Sequence, residues 1–229
     1  MSIEFRPKTR GDIDIEVINL KQFLLINKDY IKTVFFILCV NKETIDEGII
    51  ELSFTIDELK GVKNNECKDL LMKFYNFQGE NLDSEQRRSK VGNRRGELLE
   101  LVVNEITPVH VKSSEYTLYK ECCIYENGQM IKHMDIDTVF ESRDKTEAEL
   151  IECKVDLSNY LGDDIPYSKR KKLNFMVCVE NKSRNYGYNY KLFFATCEET
   201  PINSRVALDK HGYNMFNILN CNDIIKQLN

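Results

Sequence analysis

The chain has 229 residues, 42% of them hydrophobic, enough to bury the core of one large domain or two small ones. Its formal net charge of -5 argues against coating nucleic acid by bulk attraction, so any such contact has to be local. No apolar run approaches the length that crosses a bilayer and the N-terminus lacks a signal-peptide core, so no membrane partner and a cytoplasmic location are expected.

Ile13, Ile15 and Val17 alternate with acidic residues and predict a strand, and Thr33 to Val40, rich in β-branched and aromatic residues, predicts a buried one. After Gly48, the alternation of Ile50, Leu52, Phe54 and Ile56 predicts a third. From Asn65 the period changes: Cys67, Leu70, Leu71, Phe74 and Tyr75 fall on one helical face, and the pattern ends at Gly79. Gly79 to Arg95 is charged and lacks apolar periodicity, which reads as a linker. Residues 1–85 are thus expected to form a small β-rich N-terminal domain for recognition or interaction, and residues 86–229 a second domain.

In that second part Gly96 to Ile106 predicts a helix that stops before Pro108. Tyr116 to Tyr125 reads as a strand, Asn127-Gly128 closes a hairpin, and the returning strand carries His133, Asp135 and Asp137. Glu149 to Leu157 is the next, antiparallel strand. Asp163 and Asp164 flank a helix ending in Lys169, Arg170, Lys171 and Lys172, and Asn174 to Val179 and Tyr190 to Thr196 read as strands. Ser204 to His211 is helical with Gly212 as its stop, Met215 to Leu219 is a short strand, and Asn222 to Leu228 a last helix. The expected class is α/β (α+β), with a mixed central sheet flanked by helices.

Chemistry concentrates between Met134 and Leu157. Side chains two apart on a strand share a face, so Glu152 and Lys154 project together while Ile151, Cys153 and Val155 pack behind them. Asp137 comes from the neighbouring strand, and two carboxylates with one ammonium suit a hard divalent cation beside a phosphate. The bare Glu-x-Lys triplet is a weak signal: it also occurs at Glu58-Leu59-Lys60, Glu66-Cys67-Lys68 and Glu180-Asn181-Lys182. Only Glu152-Cys153-Lys154 sits inside an apolar alternation with an aspartate-bearing strand before it. The competing reading is an exposed cross-strand ion pair of little energetic weight. Eight cysteines are scattered singly in apolar runs, apart from Cys122-Cys123, and read as reduced core thiols; without a CxxC, zinc has little support.

Taken together, these residues resemble the PD-(D/E)xK superfamily of metal-dependent, restriction-endonuclease-like nucleases, over about Arg94 to Leu228. The similar features are Gly96-x-x-x-Glu100 on a helix, Asp137 within DIDTVF, and Glu152-Cys153-Lys154 on the next strand. No Pro precedes Asp137, and Asp135 on the same face is the alternative ligand. The resemblance implies Mg2+ or Mn2+ held by Asp137, Glu152 and the Cys153 carbonyl, with Glu100 reaching it directly or through water, and Lys154 orienting the attacking water. It also implies a DNA backbone held by Arg94, Arg95, Lys169, Arg170, Lys171 and Lys172. The expected activity is divalent-metal-dependent hydrolysis of DNA. The acidic balance suggests a protein partner or homo-oligomer, as in an anti-phage or restriction-type defence complex. RNA as substrate, or a catalytically idle nuclease-like subunit, are the alternatives.

Overall fold

The computed structural model describes residues 2–9, 11–42, 65–77 and 80–228. A six-stranded sheet runs in the order β1 (Ile3–Pro7), β2 (Tyr116–Glu126), β3 (Gln129–Ser142), β4 (Glu147–Cys153), β5 (Asn189–Ala195), β6 (Phe216–Leu219). The first four strands are antiparallel, whereas β4, β5 and β6 are parallel to one another. A parallel neighbour requires a crossover, which α5 (Leu157–Leu161) and α6 (Tyr167–Asn185) supply between β4 and β5. The hairpin between β2 and β3 turns at Asn127 and Gly128, both at positive φ (51° and 80°), the backbone that a two-residue turn of this kind demands.

The sheet separates two apolar layers. On one face α1 (Ile15–Ile26), α2 (Ile31–Val40), α3 (Asn65–Tyr75), α4 (Ser84–Val103) and α8 (Cys221–Gln227) pack on Phe140, Ile151, Cys153 and Phe193. On the other, α5, α6 and α7 (Ile202–Lys210) pack on Val139, Leu150, Leu192 and Phe194. Successive residues of β4 and β5 thus feed opposite layers, as the pleat requires. The mixed sheet flanked by helices is therefore present as expected.

The β-rich character expected of residues 1–85 is absent among the described residues. Ile13 to Val17 does not form a strand: Asp14 caps α1 by accepting the Glu16 N–H, and Val17, Leu20 and Leu24 fall on one buried face at helical spacing. Thr33 to Val40 lies in α2, whose Ile31, Val34, Phe35, Ile37 and Leu38 are buried; a continuous apolar run carries no period to separate strand from helix, and burial overrode β-propensity. The predicted strand after Gly48, the triplet at Glu58 and the stop at Gly79 lie outside the described residues. The single described strand of this region, β1, pairs with β2 in the common sheet.

The linker reading of Gly79 to Arg95 is also corrected. Helix α4 starts at Ser84, two residues before the expected boundary, behind a capping box of Asp83 and Gln86. Its buried stripe runs through Val91, Arg94, Arg95, Leu98 and Val102, so two arginines occupy positions where the apolar period was sought. Asn174 to Val179 likewise belongs to α6, with Leu173, Met176 and Val179 buried at helical spacing.

Candidate active site

The site forms at the carboxyl end of β4, where pairing is antiparallel on one side and parallel on the other. The ladder between β3 and β4 ends at Thr138 and Ile151. One step beyond, the Cys153 N–H donates to Asp137 Oδ2 at 2.7 Å, so a carboxylate replaces a backbone acceptor where the strands part. Across from Asp137 on β2, between the pairs Lys120–Thr138 and Cys122–Ile136, Glu121 adopts φ 43°, an unusual backbone for a non-glycine residue at this end of the site.

Asp137, Glu152 and Lys154 converge as the sequence predicts. Lys154 Nζ lies 2.8 Å from Glu152 Oε1, donates to the Cys153 carbonyl at 2.8 Å, and lies 3.7 Å from Asp137 Oδ2. One ammonium is therefore surrounded by the three oxygens expected to ligate a metal. Burial, followed by the charge of Glu152, pushes the Asp137 carboxyl up to about 6. Burial works against the charge on Lys154, yet Glu152 and Asp137 together hold its pKa above the ordinary lysine value.

Two further groups close the site. Lys172 Nζ sits 2.7 Å from Glu152 Oε2, an ion pair whose alignment falls short of a hydrogen bond, and donates to the Asp135 carbonyl at 2.5 Å. Lys172 is therefore turned inward, not spread on the surface as a backbone clamp. Its stripe on α6 continues through Met176 and Val179, a signal hidden by reading that segment as a strand. The Tyr160 ring has Lys154 Nζ at 5.3 Å and Lys169 Nζ at 4.5 Å from its centroid; sequence reasoning missed it because an aromatic on a short helix carries no motif.

Asp135, the alternative ligand, is engaged elsewhere: its Oδ2 accepts from Lys8 at 2.9 Å. Despite partial burial, that hydrogen bond and the Lys172 charge hold its carboxyl below the usual range. Glu100 is half-buried on α4, and its charge, after burial and Asp137, contributes to raising the pKa of the Cys153 thiol.

Arg94 and Arg95 require the clearest correction. They are 7% and 9% exposed. Arg94 Nε and Nη2 hold Asp14 Oδ2 at 2.8 and 2.7 Å, and Nη1 donates to the carbonyls of Phe74 and Lys73 in the last turn of α3. Arg95 Nε donates to Leu38 O at 2.8 Å in the last turn of α2. Both satisfy helix C-termini, where carbonyls lack intrahelical partners and a cation is favoured. They are structural groups, not a nucleic-acid surface.

As an oxygen-donor set, Asp137, Glu152 and the Cys153 carbonyl fit a hard divalent cation. The raised Asp137 pKa reflects its burial first and the neighbouring Glu152 charge second, and Glu152 Oε2 is buried without a well-aligned donor. Among the described residues, however, no three His, Cys, Asp or Glu side chains are gathered as a metal cluster, and Lys154 lies against both Asp137 and Glu152. No described helix is long and apolar enough to cross a membrane.

No family model matches the chain, and neither does any curated protein. Among solved structures, that of Can2 from Sulfobacillus thermosulfidooxidans in complex with cyclic tetra-adenylate is similar, with a TM-score of 0.43 and 15% identity. The match covers 99% of this chain, which spans 58% of that one.

Proposed function

We propose that the protein is a divalent-metal-dependent nuclease that hydrolyses phosphodiester bonds in DNA. The observation carrying this reading is the ring of oxygens from Asp137, Glu152 and Cys153 around the Lys154 ammonium, at the point where β3 and β4 part. Asp137, Glu152 and the Cys153 carbonyl would hold Mg2+ or Mn2+, with Glu100 as a further acid on the α4 side. When bound, the ion supplies Lewis-acid polarisation of the phosphate and a water activated near neutral pH. Lys154, its pKa held above the ordinary lysine value by two carboxylates, offsets the negative charge that builds on the phosphate oxygens and holds the attacking water by a hydrogen bond. Lys172 fixes the Glu152 carboxylate in place, and Lys169, on the neighbouring stripe of α6, faces the substrate backbone beside Tyr160.

A second reading has its own support. Each oxygen of Glu152 already has a lysine within 2.8 Å, so its charge is compensated without a metal, as an idle nuclease-like assembly subunit would require. The reactions of plasmid and of linear DNA with Mg2+, with and without chelator, decide between them. The nuclease reading predicts chelator-sensitive cleavage that Lys154→Ala and Asp137→Ala each abolish in folded protein. Wild-type rates in both variants would end the site assignment.

A further inference from the structure

A cleft of about 640 Å³ opens on the outer side of α6, between β3, the first two turns of α6 and the segment after α7. Lys132 and Met134 line it from β3, Tyr167, Arg170, Lys171 and Asn174 from α6, and Tyr213 from beyond α7. Three cations and two tyrosines meet there, and no carboxylate is among the described lining residues, although the chain as a whole carries a net charge of -5. The cleft is therefore a local reversal of the protein's charge.

Its parts are held in place. Tyr213, 8% exposed, donates through its hydroxyl to Asn174 Oδ1 at 2.8 Å, and the Arg170 Nε donates to Ile165 O at 2.7 Å. Tyr167 is 76% exposed, and its ring has the Lys171 ammonium 5.1 Å from its centroid. An exposed aromatic ring flanked by cations is the arrangement by which proteins hold unpaired bases and their phosphates. The cleft and the candidate active site draw on neighbouring residues of the same two elements: Met134 precedes Asp135, and Lys171 precedes Lys172, which contacts Glu152.

We infer that this cleft receives one unpaired nucleotide of the substrate strand, its base on Tyr167 and its flanking phosphates on Lys132, Arg170 and Lys171. The inference rests on the nuclease reading for the identity of the strand, and it adds a substrate class: single-stranded or locally opened DNA in preference to a closed duplex. A fully paired strand keeps its bases inside the stack and presents only phosphates to the cleft, so the tyrosine contributes nothing to binding it.

The test is fluorescence anisotropy of the full chain, in chelator, with a labelled oligothymidylate of about a dozen nucleotides, within the usual span of a single-strand site, and with a duplex of matched length. The single strand is expected to bind more tightly. Tyr167→Ala is expected to weaken it roughly ten-fold while leaving duplex affinity unchanged. Tyr167→Phe restores binding, and Lys132→Ala lowers the salt dependence by about one phosphate contact. Equal affinity of Tyr167→Ala and wild type for the single strand would overturn the inference, as would full displacement of the oligonucleotide by polyglutamate of equal charge. Chelator keeps this separate from cleavage. A protein that binds as described but cleaves nothing keeps the cleft and loses the nuclease reading; one that cleaves but is indifferent to Tyr167→Ala loses the cleft alone.

Discussion

Two basic clusters that look alike in the sequence have opposite fates in the fold. Arg94 and Arg95 lie in the middle of α4 and face the carbonyl ends of two other helices; Lys169 to Lys172 lie at the start of α6, where Lys172 turns in to the Glu152 carboxylate, Arg170 donates to the Ile165 carbonyl, Lys169 lies over the Tyr160 ring and Lys171 is exposed. What separates them is the partner that each meets. A guanidinium can satisfy several carbonyls at once and so tolerates burial, whereas a lysine ammonium is a compact charge suited to a single carboxylate or a phosphate. The charge of a run is therefore legible from sequence, but its use depends on the stripe of the helix that carries it.

The largest expected effect breaks the arginine half of the comparison. Arg94→Ala leaves Asp14 and the α3 carbonyls without their donor and is expected to cost about 3 kcal/mol, lowering the melting temperature by roughly 6–12 °C. Arg95→Ala should follow it somewhat less steeply. If either variant melts like wild type, the helix-end role is wrong.

Next comes the charge balance of the carboxylates. Because the folded protein raises the Asp137 pKa to about 6, it retains a proton that the unfolded chain has already released between the ordinary carboxylate range and that value. The stability contributed by that proton is fully present at low pH and is lost as pH rises through about 6, a change of about 3 kcal/mol at most. Asp137→Asn removes this slope, so thermal melts should find the variant more stable than the metal-free wild type at pH 7.5 and closer to it at pH 4. A parallel pair of stability curves would contradict the assignment.

The smallest effect belongs to the outer lysines. Lys171→Ala should change stability by no more than about 0.5 kcal/mol while reducing the salt slope of oligonucleotide binding by about one unit. An equilibrium denaturation beside a salt titration reads both. A large stability loss would place Lys171 with the arginines.

Much of the candidate site was legible because it rests on local rules. The Asn127-Gly128 turn fixed the β2–β3 hairpin, alternation placed Asp137 and Glu152 on adjacent strands, and their carboxylates do meet around Lys154. The N-terminal helices were not legible for a physical reason: the apolar run of α2 has no distinguishing period, and α1 shows its period only from Val17 onward. Lys172, expected on the DNA backbone, turns inward to Glu152 instead; that contact is not legible because its stripe crosses from a charged segment into an apolar one. Glu180 shows the same error from the other side. Its triplet lies in α6 rather than after a strand, and its carboxylate pairs with Arg184 at 2.5 Å, one turn away.

The central claim is that the oxygens around the Lys154 ammonium are a divalent-cation site. Calorimetric titration of Mn2+ into the wild-type protein and Asp137→Ala at pH 7.5 tests it most directly. The account predicts saturable binding to the wild type that tightens as pH rises through about 6, as Asp137 sheds its proton, and no binding to the variant. Absence of binding to the wild type, or equal binding to both proteins, would contradict it.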